Sequence, residues 1–296
     1  MNVLDVIAPL RKLVDSELHA FLPADDLRPT SVHRAMRYSA LGRGKRLRPI
    51  LAILTAQVFG EPPERIAPVA SALDLIHSYS LIHDDLPCMD DDDFRRGVPT
   101  CHKAFGEAIA VLAGDALLTC AFEMIIRNGR AQGFSAEDLL AIIEEISGAA
   151  GSRGMIAGQV EDIESEGRDI DVAALEYIDL HKTGRLFVAS IRTGAILAHA
   201  PASGLAAVSQ YGELFGRVFQ ITDDILDVEG SQAEMGKTPG SDERKAKATY
   251  TRLMTPQRAR SIALELTESA VHSLDGLMPG AATLAQLVRY LPERRA

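Results

Sequence analysis

The feature that most restricts the fold is the spacing of apolar residues along this 296-residue chain. They recur at intervals of three and four, the periodicity of a helix face, whereas sustained alternation of the strand type is absent. The pattern covers seven stretches, approximately residues 47–60, 64–84, 105–128, 136–150, 172–199, 204–228 and 256–273. No Ser/Gly-rich linker divides the chain. The sequence therefore predicts one all-α domain over residues 1–296.

Helix-start residues agree with this prediction. Pro256 follows Thr255, which suits an N-cap followed by a first helical residue, and Ser135 precedes two acidic residues as in a capped first turn. The segments 60–64 and 234–243 are rich in Gly, Pro and Glu and are predicted to be loops.

Charge and hydropathy exclude two classes of partner. A net charge of -10 argues against nucleic-acid binding, which begins with phosphate neutralisation by Lys and Arg. The longest apolar run, residues 108–126, contains Asp115 and Glu123, so we expect a buried helix and no stable membrane insertion. The three cysteines show no C-x-x-C spacing, and the N-terminal apolar stretch is interrupted by charges, so we expect a cytoplasmic protein with reduced thiols.

Acidic residues are concentrated in HDDLPCMDDDDFRRG, residues 83–97, where six aspartates fall within ten positions. Pro87 disfavours the helical conformation at the preceding residue, so the helix should end near Asp85. Asp84 and Asp90 would lie about 120° apart on a continuous helix, and only the bend at Pro87 lets both face one centre. A solvated acidic loop is the alternative for this stretch taken alone.

A second acidic group occurs in FQITDDILD, residues 219–227. Asp223 and Asp227 lie about 40° apart on one face of an apolar helix, where carboxylates without partners are costly to bury. A cation resolves this conflict, and one or two carboxylates per ion, completed by water and phosphate, are the ligands that Mg²⁺ prefers. The spacing does not match an EF-hand. The two clusters together therefore predict Mg²⁺ and a polyphosphate between them.

Basic residues accompany the acidic clusters. Arg95 and Arg96 follow the first cluster, Lys237 lies ten residues beyond Asp227, and GRGKRLRP at 42–49 concentrates four cations. This last segment is not a Walker A loop, because the four spacer residues and the Ser or Thr after Lys are missing. As a set, the cations indicate two binding sites for anionic groups. In one the anion is bridged by metal, and in the other it is held by Lys and Arg alone.

These motifs, with HKTG at 181–184, resemble in order and type those of the trans-prenyltransferases (polyprenyl diphosphate synthases), most closely the bacterial farnesyl diphosphate synthases. The resemblance runs from about residue 30 to the end. Two departures are Arg43, where the family usually has Gly, and Thr251, where Pro is common. The resemblance implies a helical bundle of the isoprenoid synthase type with a central active-site cavity, and a homodimer.

The resemblance also implies a reaction: isopentenyl diphosphate condenses head to tail with dimethylallyl and then geranyl diphosphate, giving farnesyl diphosphate and pyrophosphate. Mg²⁺, three ions per active site, would be held by Asp84, Asp90 and Asp223, with Asp85 and Asp227 in support. The phosphates of the allylic substrate would be neutralised by Arg95, Lys182 and Lys237. Isopentenyl diphosphate would be bound without metal by Lys45, Arg48, His77 and Arg96.

Three further residues have two interpretations each. Thr183, beside Gly184, is a poor helix former that can open the backbone ladder and expose oxygens to a carbocation, or can mark a simple kink. Gln220, one turn before Asp224, can add its amide dipole or make a core hydrogen bond. His77 alone would more often be a core histidine.

Product length is predicted from the helix that ends at the first cluster. Ser80 lies one turn before Asp84, and Tyr79 lies about 7.5 Å before it along the helix axis. The resemblance implies that an aromatic residue here closes the pocket and stops growth at fifteen carbons. The alternative is that Tyr79 is a core aromatic residue, about 140° from Asp84.

Three other functions remain open. A geranylgeranyl or geranyl diphosphate synthase of the same family would differ in product length. A class I terpene cyclase also uses an aspartate-rich helix and Mg²⁺, but its second motif resembles N-D-x-x-S-x-x-x-E rather than DDILD, and it needs no second diphosphate site. A noncatalytic subunit would be expected to lack one aspartate cluster, and this chain has both.

Overall fold

The computed structural model describes residues 3–229 and 249–294. The helices in these ranges are α1 (Val3–Phe21), α2 (Thr30–Ala40), α3 (Leu47–Val58), α4 (Pro63–Ala70), α5 (Ala72–Asp84), α6 (Cys101–Phe105), α7 (Glu107–Ala131), α8 (Ala136–Ala150), α9 (Met155–Ser165), α10 (Val172–Ile178), α11 (Arg185–Leu197), α12 (Ala202–Glu229), α13 (Tyr250–Leu253), α14 (Pro256–Ser273) and α15 (Ala282–Tyr290). Short 3₁₀ turns occupy Asp275–Leu277 and Leu291–Glu293. The predicted all-α class is confirmed.

Strand structure in the described ranges is limited to a two-residue hairpin, β1 (Phe94–Arg95) and β2 (Val98–Pro99). Arg95 is paired with Val98 in antiparallel register. The hairpin turn places Arg96 at φ 54° and Gly97 at φ 79°. The arginines that follow the first aspartate cluster therefore lie on a tight turn rather than on a helix.

The core forms where the central helices α3, α5, α7, α11 and α12 pack against one another. Helices α3 and α11 approach each other closely, and a Cβ on Gly194 would lie 2.0 Å from the carbonyl oxygen of Ala52. A second, smaller cluster joins α10, α12, α13 and α14 around Ile221, Ile225 and Tyr250. Helix α5, which carries the first aspartate motif, therefore packs in the main cluster, and α12, which carries the second, packs in both.

Two long predicted helices are interrupted. The stretch 64–84 breaks at Ser71, whose hydroxyl and N–H both donate to the carbonyl of Ala67, at 2.7 and 3.0 Å. The stretch 172–199 contains a π-helical turn, Asp179–Gly184, between α10 and α11. The predicted caps at Ser135 and Thr255 are confirmed: each side chain accepts a hydrogen bond from a backbone N–H three residues on.

Helix α7 contains the longest apolar run of the sequence, for which a buried helix is predicted. It packs against α5, α2 and α4 and contributes Leu117, Ala121 and Met124 to the core. By length and composition it could cross a membrane, but 44% of its most apolar window is buried inside the fold. Val111 and Leu112 are exposed, so α7 is a core helix with an apolar outer face.

Candidate active site

The first aspartate cluster lies at the end of α5. As predicted, α5 ends at Asp84, and Asp85 follows as its C-cap. Asp85 accepts hydrogen bonds of 2.7 and 2.9 Å from Nε of Arg95, whose Nη2 lies 4.0 Å from Asp84 and 3.9 Å from Asp92. Burial works to lower the pKa of Arg95, but the hydrogen bond and charge of Asp85 raise it overall. Arg95 is therefore a counter-ion of the cluster and is closest to Asp85.

The loop after α5 folds back on the helix end. The N–H of Asp90 donates 2.8 Å to the carbonyl of Asp84, and the N–H of Asp92 donates 3.3 Å to that of Asp85. Asp91 adopts a left-handed φ of 50°. The bend predicted at Pro87 therefore brings Asp90 back beside Asp84, and both are partly exposed.

Helix α9 adds two polar residues that the sequence did not single out. Gln159 Nε2 donates 2.8 Å to Asp84 Oδ1. Asp162 Oδ2 accepts a 2.6 Å hydrogen bond from Lys182 Nζ, which also lies 3.9 Å from Asp84. The close fit requires Gly158, because a Cβ there would lie 2.1 Å from the backbone nitrogen of Lys182. The sequence signal for this pair is the spacing of three residues between Gln159 and Asp162, which places both side chains on one face of a helix.

The π-helical turn connects Lys182 to the second aspartate motif. Thr183 Oγ1 donates 3.1 Å to Gln220 Oε1, and Gln220 Nε2 donates 2.9 Å to Asp224 Oδ1. The backbone N–H of Tyr250 donates 2.8 Å to Asp224 Oδ2. Asp224 is buried and holds this network together. A hydrogen bond therefore connects Thr183 in the π-helical turn to Gln220 in α12, as both interpretations of Gln220 allow.

Asp223 faces the other way from Asp224 and is 42% exposed. It forms an ion pair with Arg294, which also lies over the ring of Phe219, 4.4 Å from the centroid. Asp227, one turn further along α12, is partly exposed. Lys237, predicted to neutralise phosphate, lies outside the described residues.

The four residues predicted to bind isopentenyl diphosphate, Lys45, Arg48, His77 and Arg96, form one electrostatic cluster. Burial and, to a smaller extent, the charge of Arg96 lower the pKa of Arg48 to about 10, although the charge of Asp74 acts in the opposite direction. The pKa of His77 is lowered well below its ordinary value, first by burial and then by Arg48 and Arg96. The pKa values of Lys45 and Arg96 are lowered too, with burial the largest cause. Mutual repulsion at this site means that an anion would be bound favourably.

Arg46, in the same segment, has a different role. Its Nη1 donates 2.6 Å to Asp74 and its Nε donates 2.8 Å to Asp15. It adopts a left-handed φ of 52° at the start of α3, and its Nη2 donates 2.9 Å to the carbonyl of Gly42. Its charge is neutralised inside the protein, whereas Nε of the buried Arg48 has no hydrogen-bond partner.

No group of three or more His, Cys, Asp or Glu side chains in residues 3–229 and 249–294 is close enough to hold one metal ion. Protein cations and an amide contact Asp84, Asp85 and Asp223 instead. This donor set fits Mg²⁺, which takes one or two carboxylates and completes its octahedron with water and phosphate oxygens. It does not fit a closed zinc or calcium cage.

An apolar cavity of about 440 Å³ opens beside Asp84. Tyr79 and Ser80 both line it, as the product-length prediction requires. Tyr79 is largely buried, with its ring 5.8 Å from that of His83. The remaining lining comes from the aspartate loop, α7 and α9: Leu86, Cys88, Met89, Val111, Met155, Ile156, Gln159, Val160 and Ile163. A hydrocarbon chain that begins at the first aspartate cluster would enter this cavity.

Comparisons with known proteins agree with this geometry. Residues 29–273 match the family model described as Polyprenyl synthetase. The chain is 42% identical over 287 residues to the farnesyl diphosphate synthase of Escherichia coli (strain K12), covering 96% of each protein. It is 43% identical over 268 residues to a chloroplastic geranylgeranyl pyrophosphate synthase of Catharanthus roseus, covering 90% of this chain and 74% of that one. The crystal structure of an FPP/GFPP synthase from Zymomonas mobilis superposes with a TM-score of 0.86 at 33% identity, covering 98% of this chain and 99% of the other.

Proposed function

Because the chain belongs to the polyprenyl synthetase family, we propose that it condenses isopentenyl diphosphate with an allylic diphosphate, dimethylallyl and then geranyl, to give farnesyl diphosphate and pyrophosphate. The reaction depends on Mg²⁺. The relatives named farnesyl diphosphate synthase from Geobacillus stearothermophilus, Bacillus subtilis and Escherichia coli are 43%, 43% and 42% identical to the chain.

The observation that carries the proposal is the pairing of two opposite electrostatic sites with one apolar cavity. Carboxylates of α5 and α12 suit a metal-bridged diphosphate, and the cluster of Lys45, Arg48, His77 and Arg96 suits a diphosphate without metal. The cavity beside Asp84 suits a hydrocarbon tail. A condensation of two diphosphates, only one of which ionises, needs all three features.

Asp84, Asp90 and Asp223 would hold Mg²⁺, three ions per active site, with Asp85 and Asp227 in support. When bound, Mg²⁺ supplies Lewis-acid stabilisation of the pyrophosphate that leaves as the allylic C–O bond breaks. Gln159 and Asp162 would keep Asp84 and Lys182 in place through their hydrogen bonds.

The cations and polar side chains of the protein would assist the ionisation and condensation steps. Arg95, Lys182 and Lys237 neutralise the leaving pyrophosphate, which takes the electron pair of the broken bond. The Thr183 hydroxyl and the Gln220 amide direct their oxygens toward the positive allylic carbon. The double bond of isopentenyl diphosphate attacks this carbon, and the proton lost from the new product passes to pyrophosphate. No protein nucleophile is required.

Tyr79 would set the product length by closing the cavity below Ser80. The support for this is that both residues line the cavity that begins at Asp84. A geranylgeranyl or geranyl diphosphate product is the second candidate, and it is favoured by the similarity to geranylgeranyl pyrophosphate synthases.

The experiment is an assay of the purified protein with Mg²⁺ and both five-carbon diphosphates, followed by mass spectrometry of the products. A fifteen-carbon diphosphate is expected, with two pyrophosphates released for each molecule of product. Consumption of a prenyl diphosphate without isopentenyl diphosphate would show a terpene cyclase instead, and consumption of neither would show a noncatalytic protein.

We also propose a cytoplasmic homodimer. The support is the apolar outer face of α7 and α8, where Leu112, Ile126 and Leu140 are exposed in the single chain. A second copy would cover such a surface. Sedimentation equilibrium is expected to give twice the mass of the 31.9 kDa chain, and a mass equal to that of one chain would contradict the proposal.

A further inference from the structure

Arg294 follows the last 3₁₀ turn, and its side chain is only 3% exposed. Its guanidinium forms the ion pair with Asp223, donates 3.4 Å from Nη2 to the carbonyl of Phe219, and stacks on the Phe219 ring. These contacts connect the C-terminal part of the chain directly to the second aspartate motif. Nothing in the sequence motifs indicated this connection.

The position of Arg294 conflicts with a metal at Asp223. A divalent cation and a guanidinium that bind the same carboxylate repel each other strongly in a partly buried site. A cation at Asp223 must therefore displace Arg294 or bind less tightly because of it. Arg294 is the internal competitor of the metal.

Lys45 interacts electrostatically with both Arg294 and Asp223. After burial, the charge of Arg294 is the largest cause that lowers the pKa of Lys45, and the charge of Asp223 acts in the opposite direction. When a metal neutralises Asp223, the repulsion between Lys45 and Arg294 is no longer balanced. The exposed Lys45 and the buried Arg294 then favour an anion between them.

The structure also contains space for the side chain to move. A cavity of about 290 Å³ is lined by residues of α1 and α15 and by both Lys45 and Arg294. Arg294 can therefore rotate away from Asp223 toward Lys45 without displacing the core.

We propose that Arg294 is an exchangeable counter-ion. It pairs with Asp223 until a divalent cation binds there, and it then turns to the diphosphate that is bound without metal beside Lys45. The inference rests on the function proposed above. Its consequence is positive coupling: the metal at Asp223 raises the affinity for isopentenyl diphosphate and, by linkage, the reverse.

The test measures binding rather than turnover. Mn²⁺ affinity of the protein alone is read from the electron paramagnetic resonance signal of free Mn²⁺, for the native protein and for Arg294→Met, which keeps the apolar stem. We expect Arg294→Met to bind Mn²⁺ about three- to tenfold more tightly, because the competitor is gone. Arg294→Lys keeps the charge and should remain near native.

Calorimetry of isopentenyl diphosphate gives the second measurement, with Mg²⁺ and with a chelator. Mg²⁺ should raise the affinity of the native protein by about five- to tenfold and that of Arg294→Met by much less. Mg²⁺ also binds free isopentenyl diphosphate in solution, but this effect is the same for every variant and cancels when the variants are compared. The matched control is Arg289→Ala, five residues earlier, whose exposed pair with Glu268 lies away from both sites.

The variant Asp223→Asn distinguishes failure of the proposed exchange from failure of the proposed function. If Asp223→Asn weakens Mn²⁺ binding while Arg294→Met binds Mn²⁺ no more tightly than the native protein, the exchange is wrong and the proposed function stands. If Asp223→Asn binds Mn²⁺ as the native protein does, Asp223 is not a metal ligand, and the metal assignment of the proposed function fails with the inference.

Discussion

Gln159 donates a 2.8 Å hydrogen bond to Asp84 across 75 positions of sequence. This bond fixes one oxygen of the carboxylate that ends α5. Three residues later on the same helix, Asp162 fixes the ammonium group of Lys182. Helix α9 therefore positions an acidic and a basic member of the candidate site at once, and its own placement depends on Gly158.

Gly158→Ala should disrupt this arrangement. The added methyl group would lie 2.1 Å from the backbone nitrogen of Lys182, so α9 must move outward. We expect turnover to fall by about tenfold or more and the free energy of unfolding to fall by about 1–3 kcal/mol. Steady-state kinetics and urea unfolding measure these changes. Gly148→Ala, in α8 with nothing within 4 Å of the added group, is the matched control; it should retain native turnover and gain about 0.5–1 kcal/mol of stability.

Asp84→Ala and Asp223→Ala should each lower kcat by about three orders of magnitude, equivalent to about 4 kcal/mol at the transition state, since each removes a proposed metal ligand. The measurement is turnover at saturating Mg²⁺. Asp93→Ala is the control in the same aspartate run, because its exposed carboxylate pairs with Lys103. Near-native turnover of either of the first two variants would rule out the metal clamp.

Lys45→Ala and Arg48→Ala should mainly raise KM for isopentenyl diphosphate. Their cations would hold its diphosphate equally in the ground state and the transition state, so kcat should change little. Initial rates with each substrate varied in turn provide the measurement. An increase confined to KM for the allylic substrate would mean that the two diphosphate sites have been assigned the wrong way round.

Tyr79→Ala should lengthen the product to twenty carbons or more, because removal of the ring extends the cavity beside Ser80. Chromatography of the dephosphorylated products makes the measurement. Tyr79→Phe keeps the ring and should still stop at fifteen carbons. A fifteen-carbon product from Tyr79→Ala would show that another residue forms the cavity floor.

Asp179→Asn should change how stability depends on pH. Burial, together with the charge of Asp162, raises the pKa of Asp179 to about 7, although Tyr250 and Arg217 act against the increase. The folded protein therefore favours the neutral acid, and the stability that this group contributes is lost as pH rises through about 7. Asparagine stays neutral at every pH.

Urea unfolding at pH values from 5 to 8.5 tests this sign. Relative to the native protein, Asp179→Asn should gain stability as pH rises, by on the order of 1–2 kcal/mol across the range. Parallel stability curves for the two proteins would show that Asp179 is ionised throughout.

Much of the helical framework could be predicted because apolar spacing reports the buried face of a helix directly. The break at Ser71 could not be predicted, since apolar residues continue across it without a change of period. Caps such as Ser135 were predictable because they depend only on neighbouring residues. Contacts that depend on tertiary packing leave no such local trace.

Helix α9 lay outside the predicted helices for a physical reason. Its apolar residues Ile156, Val160 and Ile163 face the cavity and are partly exposed, whereas Asp162 is buried. From an amphipathic pattern one would predict that the apolar residues pack in the core and that Asp162 faces solvent, which is the opposite of the observed arrangement. The motif residues of the candidate site were recognisable from sequence, but the residues that orient them, including Arg294, were not, because their partners are distant in the chain.

The π-helical turn at Asp179–Gly184 has a consequence for how insertions and deletions act in this protein. A π-turn holds one residue more than the α-turn that would replace it, so losing any single residue there would let the ladder close as an ordinary α-helix. Helix α10 would then rotate by about 100° relative to α11. Leu175 and Phe187 belong to different core clusters on either side of the turn, and both could not stay in place. A one-residue gap at this point of an alignment therefore changes the phase of an entire helix, whereas a gap of the same size in a surface loop changes only its length.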